Sequence, residues 1–202
     1  MCGKGVPDDI IKVLSEQKNV ILKHTGREGG VNMHFRFLVL DLAEVDIMIV
    51  RDADSRVHAR DRWCIDRWLA SGRGAMLTRD HKFHTNKIMG GLWGVRKGCL
   101  PDSMKTVYGD FLPIVLHPDY EFQYGNDQDL ISENLYPLLV KDAVVFTDID
   151  KLVYEGEYHE KIGYPMVGDN FCGQVADFND KGEEIITIPY FHDLDFGSDS
   201  EH

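Results

Sequence analysis

Three features of the sequence predict an α/β protein whose mostly parallel central sheet is flanked by helices. The first is a set of short apolar runs, Ile47-Met48-Ile49-Val50, Met76-Leu77-Thr78 and Val144-Val145-Phe146, with the length and composition of buried strands. The second is the amphipathic pattern between them, clearest over residues 59–71. The third is the way the Ile47–Val50 run opens into Arg51-Asp52-Ala53-Asp54-Ser55-Arg56. That puts Asp52 and Asp54 at the strand's carboxyl end, where ligands gather in open α/β sheets. Two carboxylates there are hard oxygen ligands suited to Mg²⁺ or Mn²⁺, and such an ion can hold a phosphate.

The elements follow in order. Residues 8–17 read as a short helix after Pro7, with Ile10, Ile11, Val13 and Leu14 as its apolar stripe. Val20-Ile21-Leu22 reads as a strand, 25–30 as a Gly-rich turn, and 35–42 as a helix packed ahead of the next strand. Four consecutive apolar residues make Ile47–Val50 a strand covered on both faces. In the 59–71 helix, Cys64, Ile65, Trp68 and Leu69 share one face, Arg60, Asp61, Asp66 and Arg67 are polar, and Gly72 stops it. Arg79-Asp80-His81 follows the second apolar run. Gly90-Gly91-Leu92-Trp93-Gly94 surrounds a tryptophan with glycines, which predicts a backbone that something approaches closely. A helix over 127–140 starts at a cap supplied by Asn126 or Asp127. After the Val144 strand, 167–175 and 185–188 form a late hairpin, and the acidic 193–202 stretch frays. One domain over 1–192 with a terminal tail results, and no internal repeat is apparent.

Composition narrows the function classes. With 43% hydrophobic residues in 202, the chain has enough apolar surface for a sizeable core. A formal net charge of -12 disfavours nonspecific nucleic-acid binding, which needs Lys and Arg for the phosphates. It also means that an anionic ligand needs a metal ion or a local basic cluster. Cys2, Cys64, Cys99 and Cys172 are far apart in sequence, so no CxxC metal or redox pair is formed and free thiols in a reducing compartment are expected. There is no secretory leader pattern and no apolar run of membrane-spanning length, which predicts a cytoplasmic protein, in a host's cytoplasm if the source is viral.

The ordered set Arg51-Asp52-Ala53-Asp54-Ser55-Arg56, Arg60, Trp68-Leu69, Arg79-Asp80-His81, Gly90-Gly91-Leu92-Trp93-Gly94 and Asp127-Gln128 resembles nucleotide-sugar glycosyltransferases of the GT-A type, in particular small glycosyltransferases of large algal DNA viruses. The likeness runs from about residue 6 to about residue 145. It implies a GT-A-like fold in which Asp52 and Asp54 form a DxD motif holding Mn²⁺ or Mg²⁺ against the donor diphosphate. By the same likeness Arg79, Asp80 and His81 lie close to the donor sugar, Gly90 to Gly94 line the reaction centre, and Asp127 contacts sugar or acceptor. Asp127 and His81 are then the candidate catalytic residues, and Arg51, Asp52, Asp54, Arg56, Arg79, Asp80, Gly90, Gly91 and Trp93 the candidate donor-binding set. The implied partners are a nucleoside diphosphate sugar and a glycan or protein-linked sugar acceptor.

Two departures from the family pattern carry expectations of their own. Only a short segment precedes the helix at Asp8, which implies a shortened nucleotide-binding half and a truncated, minimal or split enzyme. Thr147 stands where the family often carries a histidine ligand, and His192-Asp193 is the nearest substitute.

The residues taken alone leave alternatives. Asp52 and Asp54 suit a turn or a cap as well as a metal. His81 and His84 have spacing compatible with ligation, His81 reading as a donor contact and His84 as structural. Trp93 is a core residue or a stacking platform, and Asp127 a cap or a catalytic acid. Arg51, Arg56 and Arg36 pair with phosphate or with local acids. Two rivals stand beside the transferase. One is an aspartyl-phosphate phosphatase at Asp148 and Asp150, disfavoured by Lys151 and by the late position. The other is a noncatalytic sugar-nucleotide or partner-binding module.

Overall fold

Helix α1 (Asp8–Ser15) follows Pro7 and carries Asp8 and Asp9 in its first turn, where carboxylates complement the helix dipole. The computed structural model describes residues 2–100, 103–168, 170–179, 181 and 183–186. The expected strand at Val20-Ile21-Leu22 is absent: this stretch has no sheet partner, and Ile21 is 74% exposed. The chain is tied nearby instead, where the Cys2 N–H donates to the Lys23 carbonyl at 2.8 Å. The helix expected over 35–42 is two short pieces, α2 (Asn32–Phe35) and a 3-10 turn at Phe37–Asp41, whose Phe37 and Leu40 enter the core.

Next come β1 (Ile47–Val50), α3 (Ala59–Ser71), β2 (Ala75–Thr78) and β3 (Trp93–Arg96). Helix α3 has the expected bounds. The Asp61 carboxylate accepts the His58 N–H at 2.9 Å in a capping box, and Gly72 closes the helix at φ 74. Beyond lie α4 (Met104–Tyr108), α5 (Phe111–Leu116), α6 (Asn126–Leu130), α7 (Tyr136–Leu139), β4 (Ala143–Phe146) and β5 (His159–Glu160). The helix expected over 127–140 is interrupted by a π-helical turn at Ile131–Leu135. Pro137 lacks the N–H that a regular α-ladder requires, which breaks the run there. The residue before α6 is Gly125, at φ 94, and neither Asn126 nor Asp127 caps the helix with its side chain.

The main sheet has the order β1-β3-β2-β4-β5. β2, β4 and β5 pair in parallel, while β3 is antiparallel to both β1 and β2. Four strands therefore run one way and β3 runs against them, so the sheet is mixed. A separate hairpin, β6 (Ala176–Phe178) with β7 (Glu184–Ile186), replaces the one expected over 167–175 and 185–188. Residues 187–188, the acidic tail and His192-Asp193 lie outside the described residues.

One core lies on each face of the sheet. Val50, Leu77, Trp93 and Val145 join Phe37, Ile131 and Leu135 on one face. Met76, Val144 and Phe146 meet Cys64 and Trp68 of α3 on the other. Strands β2 and β4 are buried throughout, as apolar runs between two layers should be. β1 is not covered on both faces: it is an edge strand that buries Met48 and Val50 and leaves Ile47 and Ile49 at 39% and 37% exposure. Among the described residues no helix is long and apolar enough to cross a membrane.

Candidate functional site

A cleft of about 930 Å³ opens beyond the carboxyl end of β1. Its lining includes Arg36, Arg51, Asp52, Asp54, His81, His84, Gly90, Gly91, Asp127, Gln128 and Phe171, drawn from segments far apart in sequence.

The β1–β3 pairing explains why Asp52 faces a glycine. Val50 lies opposite Trp93, and the same register carried two residues further brings Asp52 across from Gly91. A Cβ on Gly91 would sit 2.0 Å from Asp52 Oδ2, and one on Gly90 would sit 2.7 Å from Arg36 Nη2. The bare backbone of this turn is what lets the two charged groups approach. The Gly90 N–H donates to Gln128 Oε1 at 3.0 Å, which fastens the turn to α6. Gly91→Ala must therefore push the Asp52 carboxylate aside. We expect this variant to keep a near-native melting temperature, because the clash falls on a half-exposed side chain, and to show a smaller response than the wild type to any ligand bound at Asp52, read by thermal shift with and without Mn²⁺.

Arg36, at the carboxyl end of α2, bridges two carboxylates. Its Nη1 donates to Asp52 Oδ1 and its Nη2 to Asp127 Oδ2, the latter at 2.6 Å. Asp127 is nearly fully buried and Asp52 is half-exposed. Asp54 is exposed, and its carboxylate has no partner among the described residues. The segment carrying Asp54 is braced by the 171–176 strip. The Ala176 N–H donates to the Asp54 carbonyl at 3.1 Å, the Arg56 N–H to the Gln174 carbonyl at 2.9 Å, and His58 Nε2 meets Gln174 Oε1 at 2.7 Å.

Among the described residues no three His, Cys, Asp or Glu side chains cluster so as to hold an ion by themselves. Mg²⁺-type sites commonly use one or two carboxylates, completed by substrate phosphates and water. Asp52 and Asp54 fit that pattern in hardness and in number. Thr147, at the position where a third ligand was in question, is buried, and its Oγ1 accepts the Ile149 N–H at 3.1 Å.

The other expected site residues divide. His81 lines the cleft with its ring stacked on Phe171 at 4.5 Å. Arg51 lines it too, but its Nη1 pairs with Asp61 at 2.6 Å and its Nη2 donates to the Arg56 carbonyl at 3.1 Å. Arg56 is not part of the lining. Arg79 and Asp80 are also outside the lining and buried, Arg79 on Glu157 and Asp80 on Arg60. Trp93 is fully buried, tilted against Phe37 at 5.7 Å, which is the core role and not the stacking one. Asp148 accepts from Arg60 and from the Ile162 N–H, and Asp150 pairs with Lys161 at 3.2 Å; neither reaches the cleft. Gln128 stood in the motif set with no role assigned, and Phe171 was not expected at the site. The Gln128 signal was its place beside Asp127, whereas Phe171 carries none.

His84 lines the cleft and is mostly buried, its Nδ1 accepting the Asp80 N–H at 3.1 Å. Burial first, then the neighbouring His81 and Arg51, lower its pKa from 6.5 to about 3. The folded protein thus keeps His84 neutral where the unfolded chain protonates it. The associated stability is present above about pH 6.5 and is lost progressively as the pH falls toward about 3, at up to ~1.4 kcal/mol per pH unit. Urea unfolding at pH 7 and pH 5 should show this slope in the wild type and a shallower one in His84→Asn, whose Oδ1 still accepts the Asp80 N–H. Equal slopes would refute the assignment.

No family model matches the chain, and no curated protein or solved structure shows significant similarity to it.

Proposed function

We propose that this cleft binds a nucleoside diphosphate sugar with a divalent ion and transfers the glycosyl group to a hydroxyl acceptor, as a compact GT-A-like enzyme. The observation that carries the reading is convergence. Asp52, Asp54, His81, Gly90, Gly91 and Asp127 come from separate segments and line one cleft. Its volume falls in the range of about 300–1,000 Å³ usual for small-molecule sites.

Each group has a role consistent with its position. Asp52 and Asp54 would hold Mn²⁺ or Mg²⁺, which supplies charge neutralisation on the leaving diphosphate. Arg36 adds a guanidinium suited to phosphate oxygens. Asp127 has Oδ2 on Arg36 and offers Oδ1 to a hydroxyl of the sugar or the acceptor. His81, fixed by its stack on Phe171, orients the donor sugar. The Gly90–Gly91 turn gives a side-chain-free wall beside the reacting centre.

The test is a thermal-shift screen of nucleoside diphosphate sugars with and without Mn²⁺, followed by assay of sugar release. A donor that binds should raise the melting temperature only when Mn²⁺ is present. Binding with no transfer or hydrolysis would identify a sugar-nucleotide binding module instead. No response to any donor would refute the reading.

A further inference from the structure

Arg36 and Arg60 each bridge two carboxylates, and Arg36 does so at the cleft. Arg60 and Asp80 are each 1% exposed, and Arg79 and Glu157 each 0%, so those pairs are sealed into the fold; the second carboxylate of Arg60, Asp148, is 37% exposed but lies away from the cleft. The Arg36 bridge is asymmetric: its Asp127 arm ends on a carboxylate 2% exposed, its Asp52 arm on one 41% exposed. The first arm is anchored, because opening it strands a buried carboxylate. The second is exchangeable, because a solvent-facing ion pair contributes little. Arg60 also engages all three of its nitrogens, whereas Arg36 Nε has no hydrogen-bond partner among the described residues. The fold thus holds the Arg36 guanidinium at one edge only.

We infer that Arg36 is the internal counterion of Asp52, that it competes with a divalent ion for that carboxylate, and that the donor diphosphate relieves the competition by giving Nη1 a phosphate oxygen. Binding of the ion then depends on the diphosphate. The inference rests on the proposed reading of the cleft and adds an order of assembly to it. The chemistry is elementary. A guanidinium and a divalent cation both seek carboxylate oxygens, and two cations cannot share Asp52 at low cost. A diphosphate can take the place of the carboxylate on the guanidinium, since it accepts the same charge-assisted hydrogen bonds along the planar fork and carries more negative charge. A protein of net charge -12 also needs this local cation to admit a diphosphate. The bare backbone at Gly90, against which Nη2 packs, keeps the anchored arm in place while the other exchanges.

The experiment is a Mn²⁺ titration of the full chain followed by EPR, using the ion alone, on the wild type and on Arg36→Met/Asp127→Asn. The double variant removes one positive and one negative charge. The local net charge is unchanged, no buried carboxylate is stranded, and Asp52 is released. The wild type should bind Mn²⁺ weakly and the double variant about tenfold or more tightly. Arg36→Lys, whose single ammonium cannot span both carboxylates, should also bind Mn²⁺ more tightly than the wild type and serves if the double variant does not fold. In parallel, the wild-type melting temperature should rise with Mn²⁺ and inorganic pyrophosphate together, and not with Mn²⁺ alone. Equal Mn²⁺ affinity in wild type and variants would overturn the counterion role and leave the nucleotide-sugar reading standing. If no protein bound Mn²⁺, and Mn²⁺ with pyrophosphate moved no melting temperature, the metal site itself would be refuted and the inference with it.

Discussion

Arg60→Met should destabilise this protein by about 3–5 kcal/mol, the cost of breaking a buried ion pair from one side. Arg60 Nε and Nη2 donate to the two oxygens of Asp80 at 2.5 and 2.6 Å, Nη2 also reaches Asp148, and Nη1 reaches the Tyr164 carbonyl. One guanidinium thus joins α3 to the ends of β2 and β4 and to the 164 loop. Methionine fills much of the same volume but leaves Asp80 facing only the Cys172 N–H, at 2.9 Å. Against a total stability of about 5–15 kcal/mol, that loss shifts a urea midpoint strongly. Arg60→Met/Asp80→Leu removes both charges and should recover a large part of the loss, because an apolar pair of similar volume replaces the ion pair without a stranded charge. A loss below about 1 kcal/mol in the single variant would show that the pair is not the clamp described.

This clamp also shows which part of the α3 reading the sequence could not carry. The bounds of the helix were legible, because Asp61 and Gly72 are local signals. Its buried face was legible in part: Cys64 and Trp68 are buried and Ile65 packs beside them, but Leu69 is 38% exposed and Arg60 completes the stripe. An arginine counts as surface until its partners are known, and here they lie 20 and 88 residues away. The same distance effect misdirected Arg79 and Asp80. They read as donor contacts, but Glu157 and Arg60 draw them into the interior.

Sheet direction was the other gap. Apolar runs identify strands but carry no sense of direction, and β3 is antiparallel to its neighbours. The β2–β3 connection contains no helix, whereas a parallel crossover usually does, so the reversal had a readable trace. The cleft was the more legible part. Asp52 and Asp54 were placed by the strand that ends before them, and Gly90-Gly91 by the need for close approach. The structure identifies what approaches: the Asp52 carboxylate and the Arg36 guanidinium. Sequence left Arg36 between phosphate and local acids. Geometry assigns it two acids, and only contacts across 16 and 91 residues could have shown that.

Asp54→Ala should abolish Mn²⁺-dependent binding of a nucleoside diphosphate sugar while leaving the fold untouched. The two carboxylates of the motif differ in what else they support. Asp52 pairs with Arg36 and packs against Gly91, so its removal alters the cleft as well as any ion site. Asp54 is exposed, its side chain has no partner among the described residues, and only its backbone carbonyl takes part in the brace from Ala176. Alanine keeps that carbonyl and deletes the proposed ligand carboxylate and nothing more. The melting temperature without ligand should therefore match the wild type within about 1–2 °C, as for a surface substitution. With donor at about 100 times its dissociation constant, the wild type should gain ~2.7 kcal/mol, or roughly 5–10 °C for a chain of this size. Asp54→Ala should gain none of it, and glycosyl transfer should fall on the order of 10²–10³-fold as charge stabilisation at the leaving group is lost. An intact Mn²⁺-dependent shift in this variant would remove Asp54 from the site. An intact shift in Asp52→Asn as well would leave the strand-end carboxylates with no part in ligand binding, and Arg36 would then be a structural tie between two acids.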